Sequence, residues 1–479
     1  MVRLVLTSTG SGLEGHPPLA LGYIASYLRK YLKLNKIKIV DKESDPVKAI
    51  LKERPDVVGI SSATLFFNQA SKIARDIKSQ LDIPVIIGGQ HITQMQYALS
   101  KEFDVAVLGE GEQTTLNLMQ TYLDCHEFNS KNLKKIKGIA FHENGNVVIN
   151  ERQTLITPLD KIPYPARDLF KMNEIYLIPR LTFVHSKISR STHMLTSRGC
   201  PYRCVFCASS CFWRTIRYHS PEYVVGEIKE MIRNFKIHEI NIFDDLFIAD
   251  KKRFRKIVEL LESEGITKKC RFRILGRANL INKETCELIK RMGVASIGIG
   301  FESGSPKILK YLKKGTTTVQ QNKFAIKLLK QYGIAVQGLF MIGSPHETKQ
   351  DMMKTLEFIK NNSIDTLELS ITTPYPGTEL WAYAKKRGFV SDAMDWSRLD
   401  AQPLNDLKDN ILLDEEISRE EFIKIYQLFR KELEKRNICL LNSELADILS
   451  LGLIKLAIKR PSKTIKIASN FIKAKFQKR

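Results

Sequence analysis

The run Thr196-Ser-Arg-Gly-Cys-Pro-Tyr-Arg-Cys-Val-Phe-Cys207 sets three thiols, Cys200, Cys204 and Cys207, in a C-x3-C-x2-C pattern. Three thiolates on one short loop can hold three corners of a cubane iron–sulfur cluster and leave the fourth iron open to a small molecule. A zinc site would want a fourth ligand, usually as a second C-x2-C or H-x3-H pair, and none follows at the usual distance. Cys211 lies close by and reads as a small apolar residue rather than a ligand. Eight cysteines in 479 residues, with no signal-peptide pattern, point to a reduced, cytoplasmic chain and not to a disulfide framework.

Short apolar strands alternate with longer helical segments on both sides of this loop. In the first 125 residues, Val2–Leu6, Ile37–Val40, Val57–Ser61, Val85–Ile87 and Val105–Leu108 read as strands, with helices between them. Such alternation predicts an α/β domain with a parallel, Rossmann-like sheet, and ligands bind such sheets at the carboxyl ends of the strands. Small and polar residues collect there: Ser61, Ser62 and Thr64, then Gly88 and Gly89, then Gly109 and Glu110. Glycine lets the backbone approach a large flat ligand. We expect no dinucleotide site in this domain. Residues 126–190 change character, with a hairpin around Glu143-Asn-Gly-Asn and then Leu159-Asp-Lys-Ile-Pro-Tyr-Pro-Ala-Arg-Asp168, whose prolines force an extended path. This stretch reads as a linker. From 191 to 390 the alternation resumes over six strands, which predicts a partial (βα)6 barrel with the cysteine loop after its first strand.

The cysteine loop, including Phe206 just before its last thiol, resembles that of the radical S-adenosylmethionine (SAM) enzymes. The resemblance implies a 4Fe-4S cluster whose open iron binds the amino and carboxylate groups of SAM, and an electron that cleaves SAM to a 5′-deoxyadenosyl radical. The first domain resembles the cobalamin-binding domain of one branch of that family, through Pro17-Pro-Leu-Ala-Leu-Gly-Tyr-Ile-Ala-Ser-Tyr-Leu28, Gly59-Ile-Ser-Ser62, Gly88-Gly-Gln-His91 and Gly109-Glu-Gly-Glu112. The D-x-H-x-x-G motif of many cobalamin domains is missing, and neither His16 nor His91 has its context. Cobalamin is therefore expected to bind without a protein histidine, the alternative being a domain that keeps the fold without the cofactor. The related methylthiolating enzymes carry cysteines for a second cluster in this domain, and residues 1–124 here contain none. By the same resemblance, Asp244 and Asp245 after the second barrel strand are candidates for the SAM ammonium. Arg277 after the third is a candidate for its carboxylate, and Glu302 and Ser303 after the fourth for its ribose or methionine part. His346 stands where the family often has the glycine of Pro-Gly-Glu-Thr.

Residues 391–479 are expected to be helical and basic. From Ile448 to Arg479 there are nine Lys/Arg and no Asp/Glu, part of a formal charge of +23. Such an end can lie on an anionic membrane, bind nucleic acid, or be a solvated tail; a nucleic-acid role is the least expected. The expected function is a cobalamin-dependent radical SAM enzyme, anaerobic, that methylates an unreactive carbon of a small-molecule or lipid substrate and takes electrons from a reductant such as a flavodoxin or ferredoxin. The alternatives are cyclisation, ring rearrangement or C–C bond formation with the same cofactors, and a cofactor-sensing protein without turnover.

Overall fold

A computed structural model of the chain describes residues 2–10, 16–177, 180–181, 188–213, 215–403 and 407–449. The basic tail and most of the loop at 11–15 lie outside these residues. The first sheet holds β1 (Leu4–Thr9), β2 (Ile37–Val40), β3 (Val57–Ser62), β4 (Val85–Gly88), β5 (Val105–Val107), β6 (Ile139–Glu143) and β7 (Asn146–Ile149) in the order β2-β1-β3-β4-β5-β6-β7. The first five run parallel, with α1 (Leu19–Leu32), α2 (Pro46–Lys52), α3 (Phe67–Lys78), α4 (Gln90–Gln94) and α5 (Gly111–Cys125) between or after them. Strand order reverses beside β1, which opens a crevice at the carboxyl ends of β1 and β3. The hairpin that reads as linker in the sequence is the antiparallel edge of this sheet, because β6 pairs with β5 from Ile139 to Phe141. Phe141 and Ile139 are buried, and that burial draws the hairpin into the domain.

The connector that follows lies across α1. Ala166 N donates to Gly22 O at 3.0 Å. A Cβ on Gly22 would stand 3.1 Å from both Pro165 and Phe170, so a larger residue would have to push the proline run back by a few tenths of an ångström. Arg167 then reaches the second domain, where it meets Glu227 at 2.9 Å with both side chains buried.

The second sheet has six parallel strands in chain order: Ser191–Met194, Glu239–Ile242, Arg271–Gly276, Val294–Glu302, Ala335–Ile342 and Thr366–Ile371. The partial barrel is as expected, although its first strand ends at Met194 rather than beginning there. The outward residues form one apolar core with the helices, including Ile240, Phe272, Ile274, Ile297, Val336, Phe340, Leu367 and Leu369. The helix Arg419–Leu449 belongs to this core through Phe422, Ile425 and Phe429. Its Arg436 donates to the carbonyls of Ile359, Asn362 and Ile364, which end the helix Lys349–Asn361. Another apolar cluster joins the two domains: Phe67, Ile92 and Leu99 pack with Leu312, Leu380, Trp381 and Trp396. Among the described residues no helix is long and apolar enough to cross a membrane.

Candidate active site

The cysteine loop is held at both ends. At its start, the Asp244 carboxylate accepts from Thr196 N at 2.5 Å, Thr196 Oγ1 at 2.5 Å, Ser197 N at 3.1 Å and Ser197 Oγ at 2.7 Å. Asp244 is fully buried, and burial pushes its carboxyl up against these bonds. The oxygens of Asp244, one of the two expected partners of the SAM ammonium, are thus used to pin the loop. Past Cys204, Val205 N donates to Leu312 O at 3.1 Å and Leu380 N donates to Val205 O at 3.3 Å. Phe206 packs, half-buried, against the core shared by the two domains. The Cys200, Cys204 and Cys207 thiols are free. Burial pushes the Cys207 thiol up to about 11, and Cys200 is raised by burial and then by the charges of Asp245 and Cys204. Such thiols resist ionisation until a metal takes the thiolate. The donor set thus suits iron.

Asp245, the next residue, points the other way and accepts from Ser209 Oγ just after Cys207. Arg277 stacks on Tyr202 with 3.8 Å from its guanidinium carbon to the ring centroid, and its Nη1 donates to Cys204 Sγ at 3.5 Å. Its Nη2 donates to Thr316 Oγ1. Glu302 ends the fourth strand in the left-handed region at φ +60°, beside a register shift at Gly300. A side chain on Gly300 would collide with the Glu302 carboxylate, which pairs with Lys313 at 3.3 Å. A non-glycine residue held there is a strained position of the kind that clusters at functional sites. Ser303 is fully buried, with its hydroxyl 3.0 Å from Thr355 Oγ1 and accepting from Ser305 N at 3.1 Å. Its hydroxyl is thus engaged within the protein. His346 takes φ +61°, the conformation a glycine would adopt there at no cost.

Beside the loop, the first domain opens a cleft enclosing about 930 Å³ of empty space, open solvent included. Leu4, Leu6, Leu21, Ile24, Ile86 and Val107 make it apolar, and Ser61, Gly88, Gly89, Gly109 and Glu110 lie on its wall. A Cβ at Gly88 would meet nothing nearer than Val107 at 3.8 Å and one at Gly109 would meet nothing within 4 Å, so side chains at these positions would fill the cleft. Ser62 and Thr64 are not on that wall. Both are buried, and Ser62 Oγ accepts from Thr9 Oγ1 at 2.8 Å. His91 is also elsewhere, fully buried against Phe67 and Trp396 with ring centroids 4.1 and 4.5 Å away. His16 instead reaches the barrel, where its ring lies 4.9 Å from His193 and 5.1 Å from Phe243.

One further set of residues escaped the sequence reading. Arg198, two residues before Cys200, is buried against Glu112 at 2.5 Å and Glu110 at 3.3 Å, and Arg217 also pairs with Glu110. Arg198, Glu110, Glu112 and Trp213 all line the cleft. Glu110 thus faces the cleft with its charge already neutralised. The signal was in view, since Arg198 lies inside the cysteine motif and Glu112 inside Gly109-Glu-Gly-Glu112, but nothing local says that the two segments meet.

The first strand also ends in a G-x-G-x-x-G run, Gly10-Ser-Gly-Leu-Glu-Gly15. A dinucleotide fingerprint needs its glycines to open the helix, whereas α1 starts only at Leu19, after two prolines. A B12 binding domain matches residues 9–119, and the Radical SAM superfamily matches residues 194–359. An uncharacterised methyltransferase of Pyrococcus horikoshii is 34% identical over 83% of this chain and 85% of its own length. The cytidylyl-2-hydroxyethylphosphonate methyltransferase of Streptomyces wedmorensis is 27% identical over 78% of each chain. The anaerobic magnesium-protoporphyrin IX monomethyl ester cyclase of Rubrivivax gelatinosus is 28% identical over 78% of this chain and 67% of its own. The fold is similar to that of the radical SAM methyltransferase TsrM of Kitasatospora setae, solved with cobalamin and a [4Fe-4S] cluster, at a TM-score of 0.67 and 18% identity over 92% of this chain and 89% of that one. This chain belongs to the radical SAM superfamily and is an enzyme of its cobalamin-dependent branch, with an iron–sulfur cluster, SAM and cobalamin as its cofactors.

Proposed function

We propose that the enzyme methylates an unactivated carbon of a small molecule. The observation that carries this reading is the adjacency of the two cofactor sites: Arg198 lines the apolar cleft and stands two residues before Cys200. The relatives named methyltransferases, which cover most of both chains, support it. Cys200, Cys204 and Cys207 would hold the cluster. Asp245 and Arg277, which flank the thiols, would orient the SAM ammonium and carboxylate, and Glu302 would orient its ribose or methionine part. Ser61, Gly88, Gly89 and Gly109 would hold cobalamin against the apolar wall. When bound, the cluster supplies the electron that cleaves SAM, and cobalamin supplies a methyl carrier. The chain's own part is to bind, orient and exclude water, so that the reacting groups meet in one geometry.

The test is anaerobic reconstitution with cobalamin and SAM, followed by product analysis against cell extract. Methylation yields 5′-deoxyadenosine and S-adenosylhomocysteine in step with methylated product. Release of 5′-deoxyadenosine with no linked S-adenosylhomocysteine would sink methylation and favour cyclisation, the chemistry in the name of the Rubrivivax relative. Replacing Cys204 with Ala should abolish SAM cleavage and leave cobalamin binding intact.

A further inference from the structure

The inner face of the barrel sheet carries charged side chains that no described residue of opposite charge pairs with. Along the third, fifth and sixth strands the outward residues are buried in the apolar core, and the alternate, inward residues are half-exposed: Arg273, Gln337, Glu368 and Ser370. Arg273 donates from Nε to Ser296 Oγ at 3.2 Å and pairs with no carboxylate among the described residues. Glu368 accepts from Gln337 Nε2 at 3.3 Å and Gln402 Nε2 at 2.5 Å and pairs with no cation among them. In register with Arg273 stand Asn241 on the second strand and, beside it, His193 on the first. Both face inward, since Ile240 and Ile242 face the core. Asn241 is 6% exposed and His193 7%, yet Asn241 Oδ1 and His193 Nδ1 have no hydrogen-bond partner among the described residues.

Buried polar atoms in native proteins are almost always satisfied, and an exception calls for a missing partner. Burial holds the His193 imidazole neutral, so Arg273 is the cation of this row. A planar guanidinium held by one hydroxyl, with its two terminal nitrogens unpaired among the described residues, is suited to grip a carboxylate or phosphate bidentately. Glu368, steadied by two amides and with no counter-ion among the described residues, is suited to an ammonium or another donor.

We propose that the substrate is a small molecule bearing both charges, with Arg273 taking its anionic group and Glu368 its cationic one on the inner face of the barrel, while Asn241 Oδ1 accepts from a donor of the substrate. This rests on the catalytic reading above, because the barrel that cleaves SAM must also present the substrate to it.

The test uses anaerobically reconstituted holoenzyme, as wild type and as Arg273→Gln, Arg273→Lys and Glu368→Gln, matched for iron and cobalamin content. The probes are ω-amino acids of increasing chain length, beginning with glycine, because the two charges sit on strands three apart in the sheet. Each is set beside its N-acetyl and methyl-ester forms, and binding is read by equilibrium dialysis with mass spectrometry. At least one zwitterion should bind about tenfold or more tightly than either singly charged form. That preference should fall about tenfold in Arg273→Gln and in Glu368→Gln, and by less in Arg273→Lys, which keeps the charge. Equal binding by wild type and both charge-removing variants, or binding of singly charged probes alone, would overturn the proposal, as would failure of every zwitterion to bind. A lower SAM affinity in Arg273→Gln would assign Arg273 to SAM and overturn it too. Wild-type SAM cleavage under dithionite is scored separately. Its absence tells against the catalytic reading and leaves the dialysis result to stand on its own.

Discussion

Arg198 Nη2 lies 2.5 Å from Glu112 Oε1, and each side chain is about 95% buried. The pair joins the Gly109-Glu-Gly-Glu112 loop of the first domain to the approach to the cysteine loop of the second. Burial alone would push the Glu112 carboxyl up; the Arg198 guanidinium more than offsets this and holds it below the usual range. Replacing Glu112 with Gln leaves the buried Arg198 guanidinium with Glu110 at 3.3 Å, a carboxylate it shares with Arg217, and should cost about 1–3 kcal/mol, less than stranding the charge outright. Chemical denaturation of the apoprotein should show that loss, together with a lower iron content after reconstitution. An unchanged midpoint would mean that the pair contributes little.

Arg277 puts a positive charge 3.5 Å from Cys204 Sγ. A cation beside a cluster ligand favours the more negative, reduced state. Arg277→Gln should therefore lower the reduction potential, by an amount on the order of tens of millivolts, and weaken SAM binding. Redox titration followed by electron paramagnetic resonance reads the first, and equilibrium dialysis the second.

Gly88 lies on the wall of the apolar cleft with open space where a side chain would go. Leucine there fills the cleft and should weaken cobalamin binding about tenfold or more, with the three-thiol loop still able to take up iron. Cobalamin bound as tightly as in wild type would place the cofactor elsewhere.

His91 is fully buried, and burial lowers its imidazole to about 3. The folded chain keeps it neutral, while the unfolded chain protonates it near 6.5. Its contribution to stability is present above pH 6.5 and is lost as pH falls toward 3. By pH 4.5 the loss is about 2–3 kcal/mol. His91→Phe should remove this part of the acid sensitivity, read as the difference between urea midpoints at pH 6.5 and 4.5. Parallel shifts in both proteins would show that His91 is not responsible.

Several features could be read along the chain because their causes are local. Alternating strands and helices follow from residue periodicity, and α2 begins at Pro46 because proline suits a first helical turn after the Asp45 cap. The hairpin was visible as a hairpin, but its membership of the first sheet depends on β5, which the turn signal does not mention. The His346 departure left the loop conformation open, and the structure keeps the left-handed backbone without the glycine. Ser62, Thr64 and Ser303 carry the residue types expected of a site, yet packing turns Ser62 and Ser303 into hydrogen bonds within the protein and buries Thr64 away from the cleft wall.

The sequence by itself determined the donors and the scaffold: three thiols within eight residues, and two runs of alternating strands and helices around them. These depend on neighbours along the chain. Tertiary structure alone gave Asp244 and Asp245, adjacent residues, different partners, Thr196 and Ser197 for the first and Ser209 for the second. It alone brought Arg198 to Glu112 and set Arg273 and Glu368 on one inner face. The reason is physical: which way a side chain points, and which charge it meets, is set by packing between segments far apart in the chain. The cysteines name the chemistry; the way the two domains close on them decides which residues can take part in it.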